Sequence, residues 1–230
     1  MAQDIAKRFG KLPSRQVDWP KELNADPLDG VRQASMSLPK EQSVILFGFR
    51  GTRAAAEDRY TLDVLTTVLS GMSGRLFQAV RERQGLSYTL GAIHIPGWDP
   101  GYIIVYAAMK PQERQQVLTI LQEQLQQVAE QGVQEEEVEQ AKRQLIGIHR
   151  LELQHLGGLA RRAALDELYG LGYDTWAQYE ARINAITTAM LREAATKYLQ
   201  LSHRAEVVIA PDAGVSNRQG SVPAVNHDGR

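Results

Sequence analysis

The sequence predicts an α+β fold, with an antiparallel-rich sheet covered by helices. Three observations carry that reading. Strand-like and helix-like segments follow one another as β-β, α-α, β-β, several α, then β, an order of hairpins separated by helix runs. Between the strand pairs, apolar residues recur at spacings of three and four, as on one face of a helix. The 230 residues are 43% hydrophobic and 23% charged, enough apolar material for a sizeable core.

Taken in order, Asp4 to Phe9 reads as one or two helical turns closed by Gly10. Residues 11 to 30 carry Pro13, Pro20, Pro27, Asn24, Asp26, Asp29 and Gly30, and so many turn formers read as a linker. Ordered structure begins near Val31. VRQASMSLP alternates weakly, Pro39-Lys40 turns the chain, and SVILFGF follows as a strongly apolar strand. Together they predict a hairpin with a buried second strand.

From Ala54 the pattern becomes helical, with Tyr60, Val64, Leu65, Val68 and Leu69 on one stripe. Gly71 ends this helix. Ser73 is placed to cap the next one, which turns Leu76, Phe77 and Val80 inward before Gln84-Gly85 stops it. Leu86 to Ile95 is a strand, Pro96 to Gly101 a turn cluster, and YIIVYAAM the partner strand. Pro111 starts a helix striped by Val117, Leu118, Leu121, Leu125 and Val128, its glutamine-rich side solvated. After Gly132, a second long helix carries Val138, Ala141, Leu145 and Ile148 on one face. Gly157-Gly158 interrupts or bends this region. Residues 159 to 169 and 174 to 185 read as further helices, and Leu191, Ala194, Ala195, Tyr198 and Leu199 mark the last. Ala205 to Ala210 is a closing strand. From Pro211 on apolar periodicity vanishes, which predicts a disordered tail.

Composition excludes several chemistries. There is no cysteine, hence no disulfide scaffold, thiolate metal site or cysteine nucleophile. The absence of cysteine suits a reducing compartment but fixes none. With 26 basic against 27 acidic residues, no basic surplus points to nucleic acid. The longest apolar runs fall far short of the roughly 18 residues of a membrane span. No GxSxG, GxGxxG or P-loop occurs, and Ser70-Gly71-Met72-Ser73-Gly74 reads as a helix stop and a cap.

A zinc-binding HExxH or HxxEH needs two histidines one helical turn apart, with a glutamate on the same face. The nearest stretch is His149-Arg150-Leu151-Glu152-Leu153-Gln154-His155, whose histidines are six apart and face nearly opposite ways on a helix. A solvated helix face is the expectation there.

The segment GMSGRLFQAVRERQGLSYTLGA is the most informative. Arg81 falls in the last turn of a helix and Tyr88 near the start of the next strand, with Gly85 allowing a tight reversal between them. A phenol and a guanidinium brought side by side bind a peptide carbonyl and a carboxylate, and a phenol aimed at a developing oxyanion assists catalysis. A second account also stands. Tyr88 shares strand parity with Leu86 and Leu90 and would then be a half-buried sheet aromatic, while Arg81 would offset a helix C-terminus.

This block, YTLDVLTTVLSGMSGRLFQAVRERQGLSY, resembles the C-terminal domain of the insulinase/pitrilysin-type zinc peptidases, the family that includes mitochondrial processing peptidase. SVILFGFRG, GVQEEEVEQAKRQLIG and AITTAMLREAATKYL resemble further parts of that domain, so the likeness spans residues 31 to 210. The resemblance implies one half of a clamshell. The other half carries HxxEH and a downstream glutamate that hold zinc. This half contributes an Arg/Tyr pair with six residues intervening, a spacing that Arg81 and Tyr88 match.

It follows from the resemblance that Arg81 and Tyr88 clamp substrate and stabilise the oxyanion. No metal ligand falls in this chain, zinc belongs to the partner half, and the substrate is a peptide or unfolded segment. Residues 2 to 13 resemble the end of the first half. The implied organisation is therefore residues 1–30 as domain end and linker, 31–210 as the C-terminal domain, and 211–230 as tail. The isolated chain is expected to be inactive. The alternatives are a partner subunit to a separate zinc-bearing chain, or a non-catalytic scaffold of the same fold such as the respiratory-complex core subunits. Self-association through a face left open is a further expectation. No nucleic-acid or membrane partner is expected, and a bacterial source would imply the cytoplasm or periplasm.

Overall fold

The computed structural model describes residues 2–13, 28–71, 74–82 and 87–211. The chain runs α1 (Ala2–Phe9), β1 (Arg32–Leu38), β2 (Ser43–Arg50), α2 (Asp58–Leu69), α3 (Arg75–Glu82), β3 (Ser87–Ile95) and β4 (Tyr102–Met109). It continues through a 3-10 turn at Pro111–Glu113, α4 (Arg114–Gln131), α5 (Glu135–Leu153), α6 (Leu156–Leu168), a second 3-10 turn at Thr175–Gln178, α7 (Tyr179–Asn184), α8 (Thr188–Tyr198) and β5 (Ala205–Pro211). This is the α+β architecture the sequence predicts. Pro211, expected to open the tail, instead ends β5, and the expected Ser73 cap and the rest of the expected tail lie outside the described residues.

The five strands are ordered β1-β5-β2-β4-β3. The β2–β4, β2–β5 and β3–β4 pairs are antiparallel, whereas β1 and β5 are parallel. The expected β1–β2 hairpin is therefore corrected: the last strand of the chain lies between the two. Composition explains the outcome. β1 (RQASMSL) is exposed along six of its seven residues, which suits an edge strand. β5 (AEVVIAP) is rich in β-branched residues and is paired along both edges, with β1 and with β2. Its Glu206 is held by Arg204 at 2.5 Å and by Gln33 of β1 at 3.4 Å.

The core lies on one face of the sheet. Ile45, Phe47 and Phe49 of β2 alternate inward, as do Ile103, Val105, Ala107 and Met109 of β4. Leu62, Leu65 and Leu69 of α2 cover them, with Val117, Ile120, Leu121, Leu125 and Val128 of α4 and Leu191 and Ala195 of α8. Each of these side chains larger than alanine contributes roughly 1.5–3 kcal/mol when fully buried. Gly132 ends α4 at φ +81°, a conformation that glycine adopts without strain.

α2 is buried on nearly all sides, because it packs against β3 below and against α5, α7 and α8 around it. Its polar residues are accordingly satisfied. Arg59 donates to the Ala54 carbonyl at 2.8 Å and to the Tyr60 hydroxyl at 2.5 Å. Asp58 accepts from Lys197 and from Tyr198 of α8, each at 2.7 Å, and these two bonds hold its carboxyl below the usual range. An acid at the start of α2 thus meets a base at the end of α8, the arrangement that both helix dipoles favour.

Two further expectations are corrected. Ile148 is 55% exposed, while the buried residue at that level of α5 is His149. There the neighbour of α5 is α7, and the imidazole stacks on Tyr179 with ring centroids 4.4 Å apart. The break between α5 and α6 falls at Gln154 and His155 rather than at Gly157-Gly158, which lie in the first turn of α6. Gly158 is needed there for closeness: a Cβ at this position would stand 2.3 Å from the Glu152 carbonyl oxygen.

The core assignment predicts that Phe47→Ala lowers unfolding free energy by about 3–5 kcal/mol. Met36→Ala on edge strand β1, 57% exposed in the wild type, changes it by less than about 0.5 kcal/mol. Urea denaturation checks both, and equal losses would contradict the edge position of β1.

Candidate functional site

α3 exists because Leu76 and Val80 bury one side of it and Phe77 packs beside them, against α4 and β3. A carboxylate of α5 then ties it to the rest of the fold. Arg75 grips Glu137 of α5 with two bonds, Nε to Oε1 at 3.0 Å and Nη2 to Oε2 at 2.7 Å. Glu137 Oε2 also accepts from the Gln134 amide at 2.7 Å, completing the capping box of α5. Burial pushes the Glu137 carboxyl up, but the Arg75 hydrogen bonds and the Gln134 amide outweigh it and hold the group below its usual value.

Arg81 lies in the last turn of this anchored helix, and Tyr88 is the second residue of β3. β3 is an outer strand of the sheet. Between Ser87 and Thr89 it advances two residues while β4 advances one, from Met109 to Ala108. Tyr88 is thus the extra residue of a β-bulge. The bulge interrupts the alternation that the sequence runs through Leu86, Tyr88 and Leu90. The reversal at Gly85 and the side chains of Arg81 and Tyr88 fall outside the described residues. What the backbone establishes is that Arg81 and Tyr88 sit on adjacent elements, α3 and the bulged start of β3.

Sequence reasoning missed the role of Ser70. Its hydroxyl donates to the Ala92 carbonyl at 2.6 Å and accepts from the Ala92 amide at 2.7 Å. The end of α2 is thereby pinned to β3, and the outward peptide groups of Ala92 are occupied. The only sequence signal was a serine directly after the last apolar residue of α2.

The sequence reading places no metal ligand in this chain, and the structure gives the described histidines and the acid between them the following partners. His149, expected on a solvated face, is instead buried, with Nε2 bonded to the Trp176 carbonyl at 3.1 Å. His155 is exposed, and Glu152 is taken by Arg161. His94, which carried no prediction, pairs through Nδ1 with Asp63 at 2.8 Å beneath α2. Tyr179 lies near this pair. Burial, and then the Asp63 carboxylate, push its hydroxyl well above the ordinary phenol value. Among the described residues no group of three or more such side chains is placed to hold a metal ion. Nor is any described helix long and apolar enough to cross a membrane.

Residues 2–145 match the family described as the peptidase M16 inactive domain. An uncharacterized zinc protease of Streptomyces coelicolor is 38% identical over 56% of this chain and 28% of its own length. YmxG of Bacillus subtilis, another uncharacterized zinc protease, is 33% identical over 80% of this chain and 44% of its own. The chain therefore spans less than half the length of these curated relatives. The crystal structure of a peptidase M16 inactive domain from Pseudomonas fluorescens superposes with a TM-score of 0.80 at 19% identity, covering 91% of this chain and 50% of that one. A protease from Helicobacter pylori gives 0.79 at 15% identity, over 91% and 51%. These two likenesses establish the shared fold. With the sequence match over residues 2–145, this chain belongs to the peptidase M16 inactive-domain family.

Proposed function

We propose that this chain is the peptide-holding, zinc-free half of a zinc metalloendopeptidase that acts on peptides or unfolded segments. The observation that carries the reading is the bulge at Tyr88 on an outer strand, beside the helix that bears Arg81. Bulges re-aim side chains and recur beside active sites. The anchors support it as well. Arg75–Glu137 holds α3 and Ser70 holds β3, so the two segments bearing the pair rest on rigid elements.

In this reading Arg81 fixes the substrate backbone, and Tyr88 donates its hydroxyl to the scissile carbonyl oxygen as charge develops there. Water attack takes place on the zinc-bearing half, a partner on the same or a separate chain. Residues 1–30 are then the end of a preceding domain and its linker, residues 31–210 the M16 domain, and 211–230 a tail. The exposure of Ile5, Phe9 and Leu12 on and just after α1 suits a segment whose apolar side belongs against another unit.

In the complete two-half enzyme, Tyr88→Phe is expected to lower kcat by about 10²-fold with a much smaller change in KM. An unchanged kcat would favour the sheet-aromatic account of Tyr88. The chain alone is expected to hydrolyse no peptide and to carry no tight zinc. Metal analysis that finds one zinc per chain would overturn the assignment of the metal to the other half.

At the Arg75–Glu137 anchor, Glu137 has a lowered folded-state pKa. Its contribution is present above the unfolded carboxyl value, about 4.3, and is lost as pH falls through the folded one. Glu137→Gln should therefore cost stability at pH 7 and progressively less below about pH 4, read as melting temperature against pH. A gap between the two proteins that stays constant down to pH 3 would count against the ion pair as the anchor.

A further inference from the structure

Tyr106 of β4 is a partly exposed aromatic that Arg81 and Tyr88 leave without a role. Val105, Ala107 and Met109 face the core, so strand alternation puts Tyr106 and Ala108 on the opposite face of the sheet. The register partner of Tyr106 on β3 is Gly91. A Cβ placed on Gly91 would stand 3.1 Å from the Tyr106 hydroxyl oxygen and 3.3 Å from its Cζ. Neighbouring strands lie about 4.8 Å apart, so a ring whose tip stands over its pair partner spans the whole step from β4 to β3. Gly91 admits the ring because it has no side chain.

β3 ends the sheet on this side. The phenol is therefore carried over to the outermost strand. Ser70 Oγ stands 3.4 Å from the same Cβ position. Two hydroxyls thus meet the edge strand at one level. That of Ser70 is spent on the Ala92 peptide groups, whereas that of Tyr106 has no hydrogen-bond partner among the described residues. Packing over Gly91 accounts for the ring but gives the hydroxyl no use.

The position along the strand supplies one. Ser87, just before the bulge, pairs with Met109, and Gly91 pairs with Tyr106. The steps of β4 between them measure about 10 Å. The register pair on the way is Thr89 and Ala108, both short, so no large side chain of that pair separates the bulge from the phenol. An extended peptide advances about 3.3 Å per residue. A chain whose scissile carbonyl lies at Tyr88 and which follows β3 therefore passes the phenol about three residues further on.

We propose that Tyr106 is a further peptide-contacting residue, whose hydroxyl hydrogen-bonds the peptide backbone about three residues from the scissile bond. The proposal rests on the peptide-holding reading and adds a substrate property to it. A phenol both donates and accepts, and every peptide unit offers it a partner. The contact therefore selects for extended chains of sufficient length on one side of the cut, whatever their sequence.

Steady-state kinetics of Tyr106→Phe in the complete two-half enzyme test this, with one peptide that is long on both sides of the scissile bond and two series shortened from either end. The variant keeps the ring over Gly91 and removes only the hydroxyl. It should raise KM for the long peptide at least threefold, the loss of about one hydrogen bond, with kcat and melting temperature unchanged. In one series the KM difference from the parent enzyme should vanish once fewer than about three residues remain on that side. In the other series it should persist. Tyr88→Phe, measured in parallel, lowers kcat for every peptide, so failure of the peptide-holding reading and failure of the Tyr106 contact are separately visible. The proposal is overturned if Tyr106→Phe leaves KM for the long peptide unchanged, if the difference survives in the shortest peptides of both series, or if the variant lowers kcat with KM unchanged.

Discussion

α2 is enclosed by the sheet on one side and by α5, α7 and α8 on the others, and the position of nearly every other element follows from that enclosure. A helix buried this completely cannot leave polar groups unsatisfied. Arg59 is turned onto the Ala54 carbonyl and the Tyr60 hydroxyl, Thr66 bonds back to Leu62, and Asp58 takes both Lys197 and Tyr198. The Asp58 contacts place the end of α8, and α8 leads directly into β5. The helix at the centre of the fold thus sets where the closing strand enters the sheet. At its other end, Ser70 fixes the outer strand β3 through Ala92.

The candidate site is built by the same means. Neither α3 nor β3 is held in place by apolar packing alone. Arg75 connects α3 to the first turn of α5 through Glu137, the residue that also caps α5, so α3 cannot shift without loosening a second helix. Such bonds between partly buried charged groups are worth more than surface pairs, since fewer waters compete for them. The proposed peptide-holding role needs this rigidity. Its contribution is geometric, and geometry lost by an ångström costs rate.

Much of this was legible beforehand. Tyr60, Leu65 and Leu69 in α2, Val117, Leu121 and Leu125 in α4, and Leu191 and Ala195 in α8 show the three-to-four spacing of a buried stripe, and all are buried. The β3–β4 hairpin followed from two apolar runs around a Pro/Gly turn. The absence of HxxEH was plain from histidine spacing. Less legible were His149, an imidazole whose burial depends on Tyr179 thirty residues away, and Ser70, whose hydroxyl matters only because Ala92 lies beside it.

The sequence by itself determined which segments are helix or strand, which side of most of them faces the core, and that Arg81 and Tyr88 flank one short connection. Those properties depend on neighbours within a turn or two of the chain, and periodicity records them. Only the tertiary structure decided that β5 separates β1 from β2 and that β3 bulges at Tyr88. Strand order and register are set by pairing between segments from opposite ends of the chain. A strand's own pattern shows which face is buried, but it carries no record of which strand lies beside it.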